Sequence, residues 1–152
     1  MSFIASADSL KEYIAFNGNS YYSPELIGKI NNQNLHGSEV DMEFVIVAHP
    51  NFLSAANDLA QYHEQKDGIK TIVVTPEEIY NEFSSGAQDI TAIRDFMRMF
   101  YKKPASKLKY LLLFGDASYD PLNRITNNTN FIPSFQSNNS VSPTQSYVTD
   151  DY

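Results

Sequence analysis

The sequence of 152 residues contains no cysteine. Without a thiol the chain can form no disulfide, bind no zinc through thiolates and supply no cysteine nucleophile. Thiol chemistry by this chain alone is therefore excluded. The cellular compartment stays open, because a domain of this size can be stable in an oxidising environment without disulfides.

Basic residues and long apolar runs are also scarce. The chain has 11 Lys and Arg against 18 Asp and Glu, which gives a formal net charge of −7 and a pI near 4.8. This charge repels a phosphate backbone, so we expect no nucleic-acid partner. No apolar run approaches the roughly 20 residues of a membrane helix, and the N-terminus lacks the pattern of a signal peptide. We therefore expect a soluble chain with no membrane insertion.

What the sequence does contain is typical of a globular domain. Apolar residues make up 42% of it and charged residues 19%, a balance that favours a compact core over disorder. Short apolar runs without polar alternation occupy residues 43–49, 70–75 and 109–116. Runs of this kind are typical of strands covered on both faces of a parallel sheet.

Helical patterns separate these runs. Residues 51–68 repeat apolar side chains at helical spacing, with Asn51 as the expected N-cap and Gly68 as the C-terminal cap. Thr75 opens a short second helix with the pattern of a capping box, and Asp89 is the expected N-cap of a third helix. The order β-α-β-α-α-β predicts an α/β fold of three layers, with a parallel sheet of three or four strands and helices on both faces.

The two ends of the sequence are less regular. Residues 1–40 are predicted to be a lead-in segment that could form short strands or add edge strands to the sheet, and residues 41–152 are predicted to form the domain proper. After residue 116 the chain is rich in Asn, Ser, Thr and Pro, which indicates a long loop. Such loops in compact domains are usually functional or disordered.

Polar residues follow each predicted strand. In open parallel α/β sheets, ligands bind at the carboxyl ends of the strands, near the point where the strand order reverses. We therefore expect His49, Thr75 and Asp116 on one rim. His49 stands directly before a helix, so capping or packing competes with a role in binding. Asp116 either caps the next turn, pairs with a cation, or is a binding carboxylate together with Asp120.

Calcium binding is a second interpretation of the acids. The residues that could supply oxygen ligands are Asp116, Asp120, Asn127, Asn128, Asp150 and Asp151. Their spacing does not match an EF-hand, and the histidines lack metal-ligand spacing. Calcium therefore remains an alternative, and we predict no metal site and no cofactor. A phosphoacceptor role is weaker still, because the sequence contains neither a GxGxxG motif nor a P-loop.

Several longer stretches carry a family resemblance. They are "AHPNFLSAANDLAQYHEQKDGIKTIVVTPEEIY", "YLLLFGDASYDPLNR", "NNTNFIPSFQS" and "SYVTDDY". In this order they resemble the gingipain-like family of cysteine peptidases, and within it the branch that acts as the sortase of the type IX secretion system. The resemblance extends over most of the chain, from about residue 13 onward.

The resemblance implies a caspase-like fold in two subdomains, with the catalytic cysteine and histidine in the second. It further implies that the parent protein is a cysteine endopeptidase, which removes the C-terminal signal domain from secreted cargo at the cell surface or outer membrane. The implied partners are the catalytic subdomain, the peptide cargo and other components of type IX secretion.

The sequence departs from the family pattern, because it has no cysteine and ends before the positions of both catalytic residues. We therefore expect no catalytic residue here, and an inactive N-terminal scaffold that contributes to the substrate cleft. The predicted cleft residues are Asp116, Asp120, Asp150, Asp151 and His49. The alternative from another class is a stand-alone acidic binding or assembly module, with calcium as its ligand.

Overall fold

The computed structural model describes residues 4, 8, 10, 12–15, 17–19, 21–26, 28–136 and 148–149. The regular elements of these residues are β1 (Phe44–Ala48), α1 (Leu53–Asp67), β2 (Thr71–Val74), α2 (Pro76–Phe83), α3 (Ile90–Lys102), β3 (Tyr110–Phe114), β4 (Phe135–Gln136) and β5 (Val148–Thr149). Short 3₁₀ helices occupy Leu35–Gly37 and Pro50–Phe52. None of the helices in these ranges is long and apolar enough to cross a membrane.

The main sheet has three parallel strands. β1 lies in the centre, with β2 on one side and β3 on the other. Phe44 of β1 is in register with Thr71 of β2 and with Tyr110 of β3. β1 is buried along its whole length, as its continuous apolar sequence predicts for a strand covered on both faces. The predicted α/β class with a parallel sheet is confirmed. β4 and β5 form a separate antiparallel pair.

Helices cover both faces of this sheet, because successive side chains of β1 point to opposite faces. On one face α1 approaches through small side chains, and the buried cluster consists of Phe44, Ile46, Ala48, Ala56 and Ala60. On the other face α2 and α3 bury larger side chains against β1, with Ile79, Ile93, Phe96 and Phe100 among them. The domain therefore has the three layers that the sequence predicts.

Local caps set most of the helix boundaries. At the start of α2 the Thr75 hydroxyl accepts a hydrogen bond from the Glu78 N–H at 3.2 Å, and the Glu78 carboxylate accepts one from the Thr75 N–H at 2.7 Å. Gly68 ends α1 in the left-handed conformation, with φ of 68°. Asp89 begins α3 by accepting from the Thr91 N–H at 2.8 Å. These three predicted caps are confirmed.

The expected N-cap at Asn51 is wrong. Residues Pro50–Phe52 form a 3₁₀ helix, and α1 begins only at Leu53. The capping residue is His49, whose Nδ1 accepts a hydrogen bond from the Asn51 N–H at 3.2 Å. Proline has no N–H, so Asn51 is the first residue of this turn with a donor to satisfy, and the preceding histidine satisfies it.

The chain divides into two compact units, residues 1–31 and residues 32–152. The described residues of the first unit form no helix and no strand, and the lead-in with possible edge strands stays a prediction. Large apolar side chains there, such as Leu10 and Tyr22, are exposed. The second unit includes residues 32–40, which the sequence assigned to the lead-in segment, because Leu35 is buried in the core beside α2 and α3.

Candidate functional site

The carboxyl ends of the three parallel strands form one rim. His49 follows β1, Thr75 follows β2, and Gly115 and Asp116 follow β3. The chain passes from β1 to β2 at one edge and then crosses to β3 at the other edge, so the strand order reverses between β1 and β3. A ligand crevice is therefore expected between His49 and Asp116.

Phe131 and Ile132 close this crevice. Their N–H groups donate to the carbonyl oxygen of Asp116 at 2.9 and 3.0 Å. The Phe131 ring centroid lies 4.6 Å from that of His49, and Ile132 is 3% exposed. Gly115 permits the close approach, because a Cβ there would lie 2.8 Å from Ile132 Cγ1. The point of strand-order reversal is thus filled by the chain's own side chains.

Asp116 lies exposed on the rim. Its Oδ1 accepts a hydrogen bond from the Ala117 N–H at 2.9 Å, which fixes the turn after β3. Among the described residues, its Oδ2 has no hydrogen-bond partner. The structure therefore shows the turn-capping role and leaves one carboxylate oxygen without a hydrogen-bond partner among the described residues. Contact between Asp116 and a substrate stays a prediction.

Asp120 has a different environment, since only 8% of its surface is exposed. Its Oδ2 accepts a hydrogen bond from the Ile125 N–H at 2.8 Å, and its carbonyl oxygen accepts one from Asn128 Nδ2 at 2.6 Å. A buried carboxylate needs hydrogen-bond donors, because they offset the free-energy cost of removing a charge from water. Asp120 therefore holds the loop after β3 together, and its predicted place in a cleft stays a prediction.

His49 caps the 3₁₀ helix Pro50–Phe52 and packs against two aromatic rings. Besides accepting from the Asn51 N–H, its ring lies against those of Phe131 and Phe52, with centroids 4.6 and 6.2 Å away. Of the alternatives considered for His49, capping and packing are the roles that the structure shows. The remaining predicted cleft residues, Asp150 and Asp151, lie outside the described residues.

A shallow pocket of about 200 Å³ opens beside the closed crevice. Its walls include the rings of Tyr80 and Phe131 and the prolines Pro50 and Pro76, and Glu77 contributes a carboxylate. This volume is smaller than the roughly 300–1,000 Å³ of typical small-molecule sites. The pocket is the right size for a single side chain of a peptide.

Calcium binding gains no support from the described residues. Among them, no three His, Asp or Glu side chains are grouped so that they could hold a metal ion. The Asn128 Nδ2 donates to the Asp120 carbonyl and to Asn123 Oδ1 at 2.5 Å, whereas its Oδ1 is buried without a hydrogen-bond partner among the described residues. The calcium alternative and the prediction of no cofactor both stay predictions.

Comparison with protein families identifies the domain that carries this rim. Residues 38–152 match the model of Peptidase family C25. The chain belongs to peptidase family C25. The matched range includes the whole three-stranded sheet, its helices and the rim, so the resemblance to gingipain-like peptidases is confirmed.

One solved structure similar to this C25 domain is that of dimeric latent PorU from Porphyromonas gingivalis. The two chains are 38% identical and align with a TM-score of 0.68, over 84% of this chain and 13% of that chain. The caspase-like α/β fold is thereby confirmed, and this chain spans only a small part of the length of PorU. A search of curated proteins found no significant match.

A second carboxylate site in this C25 domain, which the sequence analysis missed, lies at the end of α2. Glu82 accepts hydrogen bonds from the N–H groups of Leu35 and His36 at 2.6 and 3.1 Å and from Gln33 Nε2 at 3.1 Å. Nδ1 of His36 lies 2.5 Å from Glu82 Oε2, and its ring stacks on Phe83 at 4.4 Å. These contacts between Glu82 and residues 33–36 are called the Glu82 clasp below.

The clasp determines the charge state of Glu82. Burial raises the pKa of this carboxyl, but the Leu35 N–H, the His36 ring, the Gln33 amide and the His36 N–H together outweigh burial. They lower the pKa of Glu82 to about 2. Glu82 is therefore charged throughout the neutral pH range, and it acts as a structural carboxylate that exchanges no proton there.

Lys103, the C-cap residue of α3, holds the same segment. Lys103 Nζ donates to the carbonyl oxygens of His36 and Ser38 at 3.2 and 2.9 Å and lies 5.5 Å from the ring centroid of Phe100. Leu35, within this segment, is buried. Residues 33–38 are therefore fastened to both α2 and α3 at the point where the matched C25 domain begins.

No local pattern indicates the Glu82 clasp, because its partners are 46 to 49 positions apart along the chain. One signal marks the segment itself. Asn34 Oδ1 accepts a hydrogen bond from the Gly37 N–H at 3.0 Å, a turn that the sequence "NLHG" favours. That turn could have shown that part of the predicted lead-in is structured, although not what it contacts.

Proposed function

We propose that this chain is the N-terminal part of a gingipain-like cysteine endopeptidase that acts as the sortase of type IX secretion. In this proposal the parent protein removes the C-terminal signal domains of secreted cargo at the cell surface. The observation that carries the proposal is the C25 match over residues 38–152, together with 38% identity to PorU. Since this chain covers 13% of that protein, the activity is assigned to a longer chain.

Within the parent protein, this chain is a non-catalytic scaffold. It contains no cysteine, so it cannot supply the thiolate that a cysteine peptidase needs as its nucleophile. Its contribution is a rigid base, with β1 fully buried between two helical layers, that braces the catalytic subdomain. The proposed partners are that subdomain, the peptide cargo and other components of type IX secretion.

The rim contributes to the substrate cleft. Two features of the described residues support this part of the proposal. One is the Oδ2 of Asp116, which has no hydrogen-bond partner among the described residues, and the other is the pocket of about 200 Å³ beside Phe131, which Glu77 also lines. An extended peptide that crosses the rim would find a carboxylate to pair with and a recess for one side chain.

Asp116→Asn in the full-length protein tests this role. The asparagine oxygen still accepts from the Ala117 N–H, so the turn persists while the negative charge is removed. We expect several-fold more cargo that retains its signal domain, measured by immunoblot of secreted cargo. Asp58→Asn, at an exposed site on α1, is the matched control and should leave processing unchanged. Normal processing by Asp116→Asn would refute the role in the cleft and leave the family assignment intact.

The alternative of a stand-alone calcium-binding or assembly module makes a separate prediction. Calorimetric titration of the chain with calcium should show binding heat, and calcium should raise the melting temperature, because a ligand that binds only the folded state stabilises it. Absence of both effects would remove the calcium version. No grouping of the described residues favours this alternative over the peptidase scaffold.

A further inference from the structure

Asn17 and Gly18 form the single Asn-Gly pair in the sequence. Both residues are exposed, and residues 17–19 lie outside the helices and strands of the described chain. Gly18 has a φ of 77°, and a Cβ added there would have no atom within 4 Å. Neither a side chain of its own nor an atom near this Cβ position therefore shields the backbone amide of Gly18.

The hydrogen bonds at this pair favour attack by the Gly18 nitrogen on the Asn17 side chain. The Asn17 Oδ1 accepts a hydrogen bond from the Asn19 N–H at 3.1 Å. In the described part of the chain, the Gly18 N–H donates no hydrogen bond. Hydroxide can therefore remove the Gly18 amide proton. The Asn19 N–H then stabilises the negative charge that develops on Asn17 Oδ1 when a nucleophile attacks Cγ.

The Asp67-Gly68 pair at the end of α1 shows the opposite arrangement. Gly68 also has a positive φ, of 68°, but its N–H donates to the His63 carbonyl. The Asp67 carboxylate is engaged as well, since its Oδ2 lies 2.7 Å from His63 Nδ1. Both pairs place a glycine after a side chain with a carbonyl group. They differ in the glycine nitrogen, which is held by a hydrogen bond at Gly68 and, among the described residues, not at Gly18.

We propose that Asn17 is a site of spontaneous deamidation. The deprotonated Gly18 nitrogen forms a bond to Asn17 Cγ, and the Cγ–Nδ2 bond breaks with release of ammonia, which leaves a five-membered succinimide ring. Water then opens the ring. Attack at Cγ gives aspartate in an ordinary chain, whereas attack at the main-chain carbonyl carbon gives isoaspartate, in which the chain runs through Cγ. The net reaction consumes one water, releases one ammonia and involves no oxidation or reduction.

Deamidation changes both the charge and the backbone of the lead-in segment. Each product adds one negative charge to a chain whose formal net charge is already −7. Isoaspartate also inserts the Cβ atom of position 17 into the main chain, which lengthens the segment that precedes the C25 match at residue 38. The reaction alters none of the residues of the Glu82 clasp. It requires only water, so it is independent of the proposed function.

Peptide mapping by mass spectrometry tests the site. The full-length protein is incubated at neutral and at mildly alkaline pH, and the peptide that contains Asn17 is followed for loss of ammonia and for isoaspartate. We expect faster conversion at the higher pH and, in Gly18→Ala, conversion about tenfold slower, because a Cβ shields the nitrogen and disfavours positive φ. Gly28→Ala, the same change at an exposed glycine away from any asparagine, should leave the rate unchanged. An Asn17 that stays intact in the folded protein would refute the proposal.

Asp67→Asn creates a second Asn-Gly pair and tests whether the structure sets the rate. In the folded full-length variant, position 67 should convert about tenfold more slowly than Asn17, because the Gly68 N–H is released only when the end of α1 opens. In guanidinium chloride the two positions should convert at similar rates. Equal rates in the folded protein, or an unchanged difference in the denatured one, would contradict the role of the hydrogen bonds. Neither readout depends on peptidase activity, so an inactive full-length protein would bear on the proposed function alone.

Discussion

The rim and the Glu82 clasp present carboxylates in two contrasting environments. Asp116 on the rim is exposed, and among the described residues its carboxylate accepts one hydrogen bond, from the neighbouring Ala117 N–H. The Glu82 side chain is 15% exposed and accepts from residues that are 46 to 49 positions away. The carboxyl with the strongly lowered pKa, Glu82, is therefore the structural one. Asp116 has one carboxylate oxygen without a hydrogen-bond partner among the described residues. A structural hydrogen-bond network can shift a pKa as strongly as a functional site does, so a shifted pKa alone does not identify a functional site.

Among the variants that compare the clasp with the rim, Glu82→Gln should have the largest effect. We expect a loss of about 3 kcal/mol in the free energy of unfolding. The amide carries one acceptor oxygen in place of two, so a donor among Leu35, His36 and Gln33 loses its partner. Urea denaturation followed by circular dichroism measures the loss. Glu77→Gln, at an exposed position of the same helix, should change stability by less than about 0.5 kcal/mol. Equal losses in the two variants would show that the clasp does not stabilise the fold.

Acid should weaken the Glu82 clasp. The pKa of Glu82 is lowered from 4.5 to about 2, so its stabilisation is complete above about pH 4.5 and is lost as the pH falls toward 2. Between about pH 5 and pH 3 the wild-type chain should lose about 2 kcal/mol more stability than Glu82→Gln. Urea denaturation of both proteins at each pH measures the difference. Parallel curves would mean that Glu82 is not the group responsible.

Gly115→Ala crowds the rim and should lower the free energy of unfolding by about 1–2 kcal/mol. The new Cβ would lie 2.8 Å from Ile132 Cγ1 and 3.0 Å from Phe131 Cβ, so the segment that closes the crevice must move. Gly28→Ala is the control, because a Cβ there has no atom within 4 Å. Thermal denaturation compares the two. If both variants melt together, the closing segment shifts without a measurable penalty.

Asp116→Asn should have the smallest effect on stability, less than about 0.5 kcal/mol. The asparagine oxygen replaces the acceptor that the Ala117 N–H requires, and the lost charge has no partner among the described residues. A melting temperature measured beside that of Glu82→Gln checks the ranking. A loss comparable to that of Glu82→Gln would remove the distinction between rim and clasp.

Features made by neighbours in the sequence were predictable. The capping box of Thr75 and Glu78, the left-handed Gly68 and the N-cap at Asp89 each depend on residues within four positions. The three apolar runs became the three parallel strands for a similar reason, since burial on both faces requires continuous apolar sequence. The predicted N-cap at Asn51 was wrong because His49 lies two residues earlier and accepts the hydrogen bond of the Asn51 N–H.

Contacts between distant segments were not predictable from pattern alone. The rim is closed where Ile132 contacts Gly115, after a loop that Asp120 holds together. The sequence does not indicate which strand end this loop covers. The Glu82 clasp depends in the same way on a turn far from α2. The placement of Asp116 after β3 was predictable, whereas the burial of Asp120 was not.

The double attachment of residues 33–38 also has a mechanical consequence. Glu82 and Lys103 hold this segment to α2 and α3, ahead of the first strand of the sheet. Tension applied to the chain before residue 33 would therefore load the two helices first. The hydrogen bonds between the strands would be pulled directly only after both attachments broke.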